Sequence, residues 1–162
     1  ARKADPNDHT YIVPAFSGLG APWWRDDIYA SISGMSRTTG REEIVKAGCE
    51  CIAYQINDVI DAMRKDSEID ISQMCVDGGP TRNKYLMQFQ SDISQTEIKI
   101  PDAEELSVIG AGYLAGESAG YYEPDDIYKA ITYNFFETEM PEQERNEKVQ
   151  GWNEAVEMLL KK

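Results

Sequence analysis

Met74-Cys75-Val76-Asp77-Gly78-Gly79-Pro80-Thr81 is the stretch on which the fold reading turns. A short apolar run, Met74 to Val76, has the length and composition of a buried strand. It stops at a turn carrying two glycines and a proline, the strongest local breakers of regular structure. A helical pattern follows at once, with Leu86, Phe89 and Ile93 on one face. Strand, glycine turn and helix in that order form the unit of an α/β layer, and ligands of such layers gather at the carboxyl ends of strands.

Working outward, the same alternation continues. Glu97 to Ile100 alternates in polarity and ends at Pro101, which reads as a strand. A helix is expected over about 104–119, unusual for its small residues Gly110, Ala111, Gly112, Ala115 and Gly116. Helix glycines cost about 1 kcal/mol each relative to alanine, so this stripe predicts the close approach of another backbone or a ligand. On the other side, Thr39 and Glu42 fit a capping box opening a long helix over about 40–64. Its predicted core face is Ile44, Ala47, Cys51, Ile52, Gln55, Val59 and Met63. Strands are expected at 11–13 and 29–33, with a turn-rich aromatic loop at 14–27 between them. Towards the end, 125–131 reads as a short helix and 133–139 as an extended segment. Val149, Trp152, Val156, Leu159 and Leu160 have amphipathic helical spacing. The fold class is therefore α/β, with at least part of a parallel sheet.

The chain carries 16 basic and 29 acidic residues, a formal charge of −13. A surface of that sign repels phosphate backbones and anionic lipid, so nucleic acid and membrane surfaces are poor partners. A single nucleotide is not excluded, because backbone N–H groups and a bound cation can hold it. Cys49, Cys51 and Cys75 are too few, and too oddly spaced, for a disulfide framework or a zinc site, and are read as packing residues. The single histidine, His9, cannot furnish a multi-histidine metal centre. With no signal peptide and no bilayer-length apolar run, a cytoplasmic location is expected. The acidic stretch 137–157 reads as a solvated helix face.

Taken alone, the Gly78-Gly79 turn reads first as backbone geometry, a tight strand-to-helix turn, with a nucleotide contact as the sharper alternative. Asp77 reads as a turn-organising carboxylate, with a base or magnesium ligand as the sharper alternative. Trp23-Trp24 reads as packing, with a sugar-stacking platform as its alternative.

Four segments in combination resemble one family: Val13-Pro-Ala-Phe-Ser-Gly-Leu-Gly-Ala-Pro-Trp-Trp24; Ser33-Gly-Met-Ser-Arg-Thr38 with the helix Ile52 to Met63; Val76-Asp-Gly-Gly79 with Asn83 and Leu86 to Ile93; and Gly110-Ala-Gly-Tyr-Leu-Ala-Gly116. Over about residues 11–122 they resemble the FGGY carbohydrate kinases, nearest to the glycerol-phosphorylating members. The resemblance implies an actin-like, ribonuclease-H-like ATPase domain whose sheet lacks its first strands. It implies that residues 1–162 form an incomplete C-terminal, nucleotide-side domain, with a helical extension from about 137. It further implies ATP or ADP with Mg as cofactors, backbone contact from Gly79 to the nucleotide, a hydrogen bond from Asn83 to it, and a shaping role for Gly78. The catalytic base and the polyol-binding residues would precede this chain, so the chain alone is expected to be inactive. Departures occur at Pro80-Thr81-Arg82, where the family often has Ala-Val-Ala, and at Trp23-Trp24, where Tyr-Trp is common. Another polyol or a ketose such as xylulose, and a non-catalytic assembly module that self-associates into a homo-oligomer, are the alternative readings.

Overall fold

The computed structural model describes residues 3–102, 106–121, 123 and 131–161. Strands β1 (Tyr11–Val13) and β2 (Ser31–Ser33) form an antiparallel ribbon, with Tyr11 opposite Ser33. Helix α1 (Arg41–Ser67) leads into β3 (Gln73–Cys75). A 3-10 turn (Gly79–Arg82) and helix α2 (Lys84–Ser94) follow, then β4 (Glu97–Pro101), helix α3 (Leu106–Ser118), β5 (Tyr133–Phe136) and helix α4 (Glu142–Leu160). The second sheet has the order β3-β4-β5: β3 is parallel to β4, and β5 is antiparallel to β4. The expected strand, helix, strand, helix alternation holds from α1 to α3. The short helix expected over 125–131 falls, but for its last residue, outside the described residues.

Helix α1 begins later than its predicted cap. Gly40 is the N-cap, and the Glu43 carboxylate reaches back to accept from Gly40 N–H at 2.8 Å. Thr39 is used differently: its hydroxyl donates to Asp8 Oδ2 at 2.8 Å and accepts from Ser36 N–H at 2.8 Å. The buried face of α1 also differs from the predicted one. Ala47 and Cys51 are buried as expected, but Ile52, Val59 and Met63 are exposed, and Lys46, Glu50, Ala53, Tyr54, Asn57 and Ile60 take the inner face.

An aromatic cluster centres the core. The Tyr54 ring stacks on Trp152 at 5.1 Å between centroids, meets Phe89 edge-on at 5.4 Å and lies 5.8 Å from Tyr11. Edge and offset contacts of this kind add about 1 kcal/mol each beyond the area they bury. Trp152 and Val156 bring α4 into this cluster, so the last helix is part of the core. Gly151 permits the approach, since a Cβ there would lie 2.2 Å from the Tyr11 hydroxyl oxygen. Leu86, Phe89 and Ile93 of α2 are buried as the periodicity predicts.

Three polar ties hold the layers in register. Asp58 Oδ2 accepts from the indole N–H of Trp23 at 3.1 Å and of Trp152 at 2.9 Å. Arg64 donates to Ser94 O and Ile71 O, each at 2.8 Å, and to Thr96 Oγ1 at 2.9 Å. Asp92 Oδ1 accepts from the backbone N–H of Glu139 at 2.8 Å and of Met140 at 3.1 Å. The Trp23-Trp24 pair divides its duties: Trp23 packs against the core, whereas Trp24 is largely exposed.

Two expectations fail here. Strand β3 is not buried, since Gln73 and Cys75 are exposed on an edge strand and only Met74 is half-buried. Packing therefore does not account for Cys75, although Cys51 is buried and all three thiols are free. At Gly110 of α3 a Cβ would meet nothing within 4 Å among the described residues.

Asp58→Ala is expected to lower folding stability by about 2 kcal/mol, because it leaves two indole donors without their acceptor. Asp58→Asn keeps an oxygen in place and should recover at least half of that loss, measured by urea denaturation.

Candidate functional site

The Gly78-Gly79 turn lies where β3 hands over to α2. Val76 N–H still bonds Lys99 O at 3.0 Å, so the β3–β4 pairing persists one residue past the strand. Gly78 then takes φ +101°, a conformation that side chains rarely adopt. The 3-10 turn closes behind it: Thr81 N–H and Oγ1 both donate to Gly78 O, at 3.1 and 2.7 Å, and Asn83 N–H donates to Pro80 O at 3.0 Å.

The two glycines have different reasons to be glycine. Backbone geometry alone demands Gly78. Gly79 lies outside the left-handed region, and a Cβ on it would meet nothing within 4 Å. Neither strain nor crowding inside the chain explains its missing side chain. Its backbone is exposed at the carboxyl end of a strand and just before a helix, where a phosphate or ribose can come close.

Asn83 is the N-cap of α2. Its Oδ1 accepts from Tyr85 N–H at 3.2 Å and Leu86 N–H at 3.3 Å, and its Nδ2 donates to Cys49 Sγ at 3.4 Å. An amide nitrogen carries two hydrogens, so a second donor remains for a ligand at this exposed side chain. Asp77 is exposed beside the turn. Among the described residues, no group of three or more His, Cys, Asp or Glu side chains could hold a metal ion.

Beneath the cap lies a buried carboxylate that sequence reading did not single out. The Tyr85 hydroxyl donates to Glu50 Oε1. Burial pushes the Glu50 carboxyl above its ordinary range, while the Tyr85 hydrogen bond and the charges of Lys46 and Lys148 pull it back. Burial likewise raises the Tyr85 phenol and the Cys49 thiol. Glu50, Lys46 and Lys148 also line two clefts, of about 300 and 200 Å³, that open towards α4 and do not include Gly79. The i, i+4 spacing of Lys46 and Glu50 on α1 was the available signal; nothing local marks that face as the inner one.

A β-α-β unit with an exposed glycine turn at its strand-to-helix junction defines the class of protein as an α/β domain. The comparisons narrow this. The description "FGGY family of carbohydrate kinases, C-terminal domain" matches residues 1–119, and the chain belongs to that family. It is 46% identical to the glycerol kinase of Natranaerobius thermophilus over 99% of this chain and 32% of that protein. It is 42% identical to the glycerol kinase of Bacillus subtilis over 99% of this chain and 33% of that protein. The similarity thus runs past residue 122, where the motifs fade, and the chain spans about a third of the length of these relatives. A crystal structure of Plasmodium falciparum glycerol kinase with ADP superposes with a TM-score of 0.88 at 39% identity, covering 98% of this chain and 32% of that one. A ligand-bound xylulose kinase from Lactobacillus acidophilus superposes at 0.74 with 17% identity, over 92% and 30%, and shares the fold. The fold is that of the C-terminal domain of FGGY kinases, as the motifs implied. Among the described residues, no helix is long and apolar enough to cross a membrane.

Glu50 gives a pH signature. Its carboxyl is raised above the unfolded value of 4.5, so its contribution to stability is complete below pH 4.5 and is lost as pH rises through the folded value. Glu50→Gln should therefore gain stability relative to the parent at pH 7 compared with pH 4.5. Paired thermal melts at the two pH values measure this, and an unchanged difference would remove Glu50 from the account.

Proposed function

We propose that this chain forms the nucleotide-side part of an ATP-dependent kinase that converts glycerol and ATP into glycerol 3-phosphate and ADP. The observation that carries this reading is Gly79, whose absent side chain no feature of the chain itself requires. In the proposed complex the Gly79 backbone lies against the phosphates or ribose, Gly78 shapes the turn, and the Asn83 amide donates to the nucleotide. The N-terminus of α2 adds favourable potential for the phosphates. Similarity to glycerol kinases, one of them crystallised with ADP, supports both the nucleotide and the substrate.

Phosphoryl transfer depends on positioning and charge stabilisation. The described residues contain no cluster suited to a magnesium ion. No residue of this chain is assigned to magnesium. The general base and the polyol pocket belong to the part of the relatives that this chain does not match. The chain alone should bind nucleotide without turnover, in a cytoplasmic setting.

The test is a chimera in which this chain replaces the matching third of Bacillus subtilis glycerol kinase. It should release ADP in a glycerol-dependent way. Gly79→Val should raise KM for ATP about tenfold, a transition-state loss of about 1.4 kcal/mol, and leave KM for glycerol and the melting temperature unchanged. Asn83→Asp, which keeps the cap acceptor but removes the amide donors, should also raise KM for ATP. Unchanged KM for ATP in both variants would overturn the assignment.

A further inference from the structure

Four residues close a ring of contacts beneath the glycine turn. Cys49 and Glu50 are neighbours on α1, and both meet the start of α2. Asn83 Nδ2 donates to Cys49 Sγ at 3.4 Å. Asn83 Oδ1 accepts from Tyr85 N–H at 3.2 Å, and the Tyr85 hydroxyl donates to Glu50 Oε1. The backbone from Cys49 to Glu50 completes the ring.

The ring acts on one side chain. An amide oxygen has two lone pairs and an amide nitrogen two hydrogens. The Asn83 oxygen uses both lone pairs on the N–H groups of Tyr85 and Leu86. A flipped amide would set an N–H against those two N–H groups, so the cap bonds fix which end is oxygen. Acceptor geometry at a carbonyl oxygen is broad, and those bonds leave the amide plane some twist. The bond to the Cys49 sulfur removes that twist and takes one of the two hydrogens. One N–H is left on an exposed side chain. With its oxygen occupied, Asn83 can only donate to a ligand. The ligand group it meets is then an acceptor: a phosphate oxygen, a ribose oxygen or a ring nitrogen of the base.

Both residues of α1 suit this task. The Cys49 thiol is half-buried, and burial pushes it up, which keeps it protonated. A neutral sulfur is a weak acceptor, so it orients the amide without drawing it out of the cap. Glu50 is buried at the other end of the ring, where it holds the Tyr85 side chain and with it the Tyr85 N–H.

We infer that Cys49 and Glu50 are positioning residues for nucleotide binding. Cys49 holds the Asn83 amide so that one N–H faces the ligand, and Glu50 holds the start of α2 through Tyr85. The inference rests on the nucleotide reading above. It gives a task to a cysteine whose spacing in the sequence reads as packing alone.

The test is ADP affinity, measured on this chain by amide-resolved NMR titration. Cys49→Ala should weaken ADP binding about fivefold and Tyr85→Phe about threefold, each by loss of one ordinary hydrogen bond. Cys49→Ser keeps an acceptor and should stay within about twofold of the parent. Lost packing would weaken binding in any background, so the comparison that decides is with Asn83→Asp, which keeps the cap acceptor and lacks the amide donors. In that background Cys49→Ala should have no further effect, the coupling expected of residues in one network. In the Bacillus subtilis chimera, Cys49→Ala should raise KM for ATP and leave KM for glycerol unchanged. Unchanged ADP affinity in Cys49→Ala or Tyr85→Phe, with Asn83→Asp impaired, would overturn the inference and leave the nucleotide reading standing. So would an equal loss from Cys49→Ala in both backgrounds. Unimpaired ADP binding in Asn83→Asp would sink the nucleotide role of Asn83 itself, and this inference with it.

Discussion

A single carboxylate oxygen joins three distant parts of this chain. Asp58 Oδ2 accepts from Trp23 of the loop after β1 and from Trp152 of α4, so the middle of α1 fixes both ends of the sequence. The bonds are charge-assisted and stronger than neutral ones, and they matter more because the site is partly removed from water. Burial raises the Asp58 carboxyl, and the two indole donors oppose that shift. Their geometry also sets the Tyr54–Trp152 stack, since the indole anchored at its nitrogen has little freedom left for its ring. Without this anchor, α4 would lose its hydrogen-bonded tie to the middle of α1 and would meet the Tyr54 ring by apolar contact.

The candidate nucleotide turn inherits its position from that frame. Helix α1, held by Asp58 near its middle and by Arg64 near its end, carries Glu50 and Cys49 beneath the start of α2. Glu50 receives the Tyr85 hydroxyl and Cys49 faces the Asn83 amide. The first turn of α2 is thus tied to α1 from below, while the Gly79 side of the turn is open above. Arg64 links the ends of α1 and α2 to the segment before β3, which places the carboxyl end of β3 and the turn that follows it. The turn is hydrogen-bonded to α1 on one side and exposed on the other, the arrangement that lets a backbone serve as a binding surface.

Much of this fold can be read in the sequence. The extent of α1, the buried positions of α2, strand β4 and the apolar positions of α4 follow from periodicity, because each element buries one face and repeats accordingly. The motif combination led to the family, and the glycine turn proved to lie at the strand-to-helix junction. What periodicity cannot give is the partner of a face. It marked Ile52, Val59 and Met63 as core positions, yet the chain turns the face of Ala53, Tyr54 and Ile60 inward and leaves them outside. The cap moved from Thr39 to Gly40 because Glu43, rather than Glu42, reaches back to the free N–H. The distinction between Gly78 and Gly79 needs a backbone angle, which no composition reveals. Asp58 sat within a quoted motif without a role, since its donors lie 35 and 94 residues away.

We propose the exposed backbone at Gly79 as a nucleotide surface. An amide-resolved NMR titration of this chain with ADP tests it most directly. The account predicts saturable shifts largest at Gly78, Gly79 and Asn83 and small at the Lys46–Glu50 clefts. Shifts centred on those clefts, or no saturable shift at the turn, would contradict it.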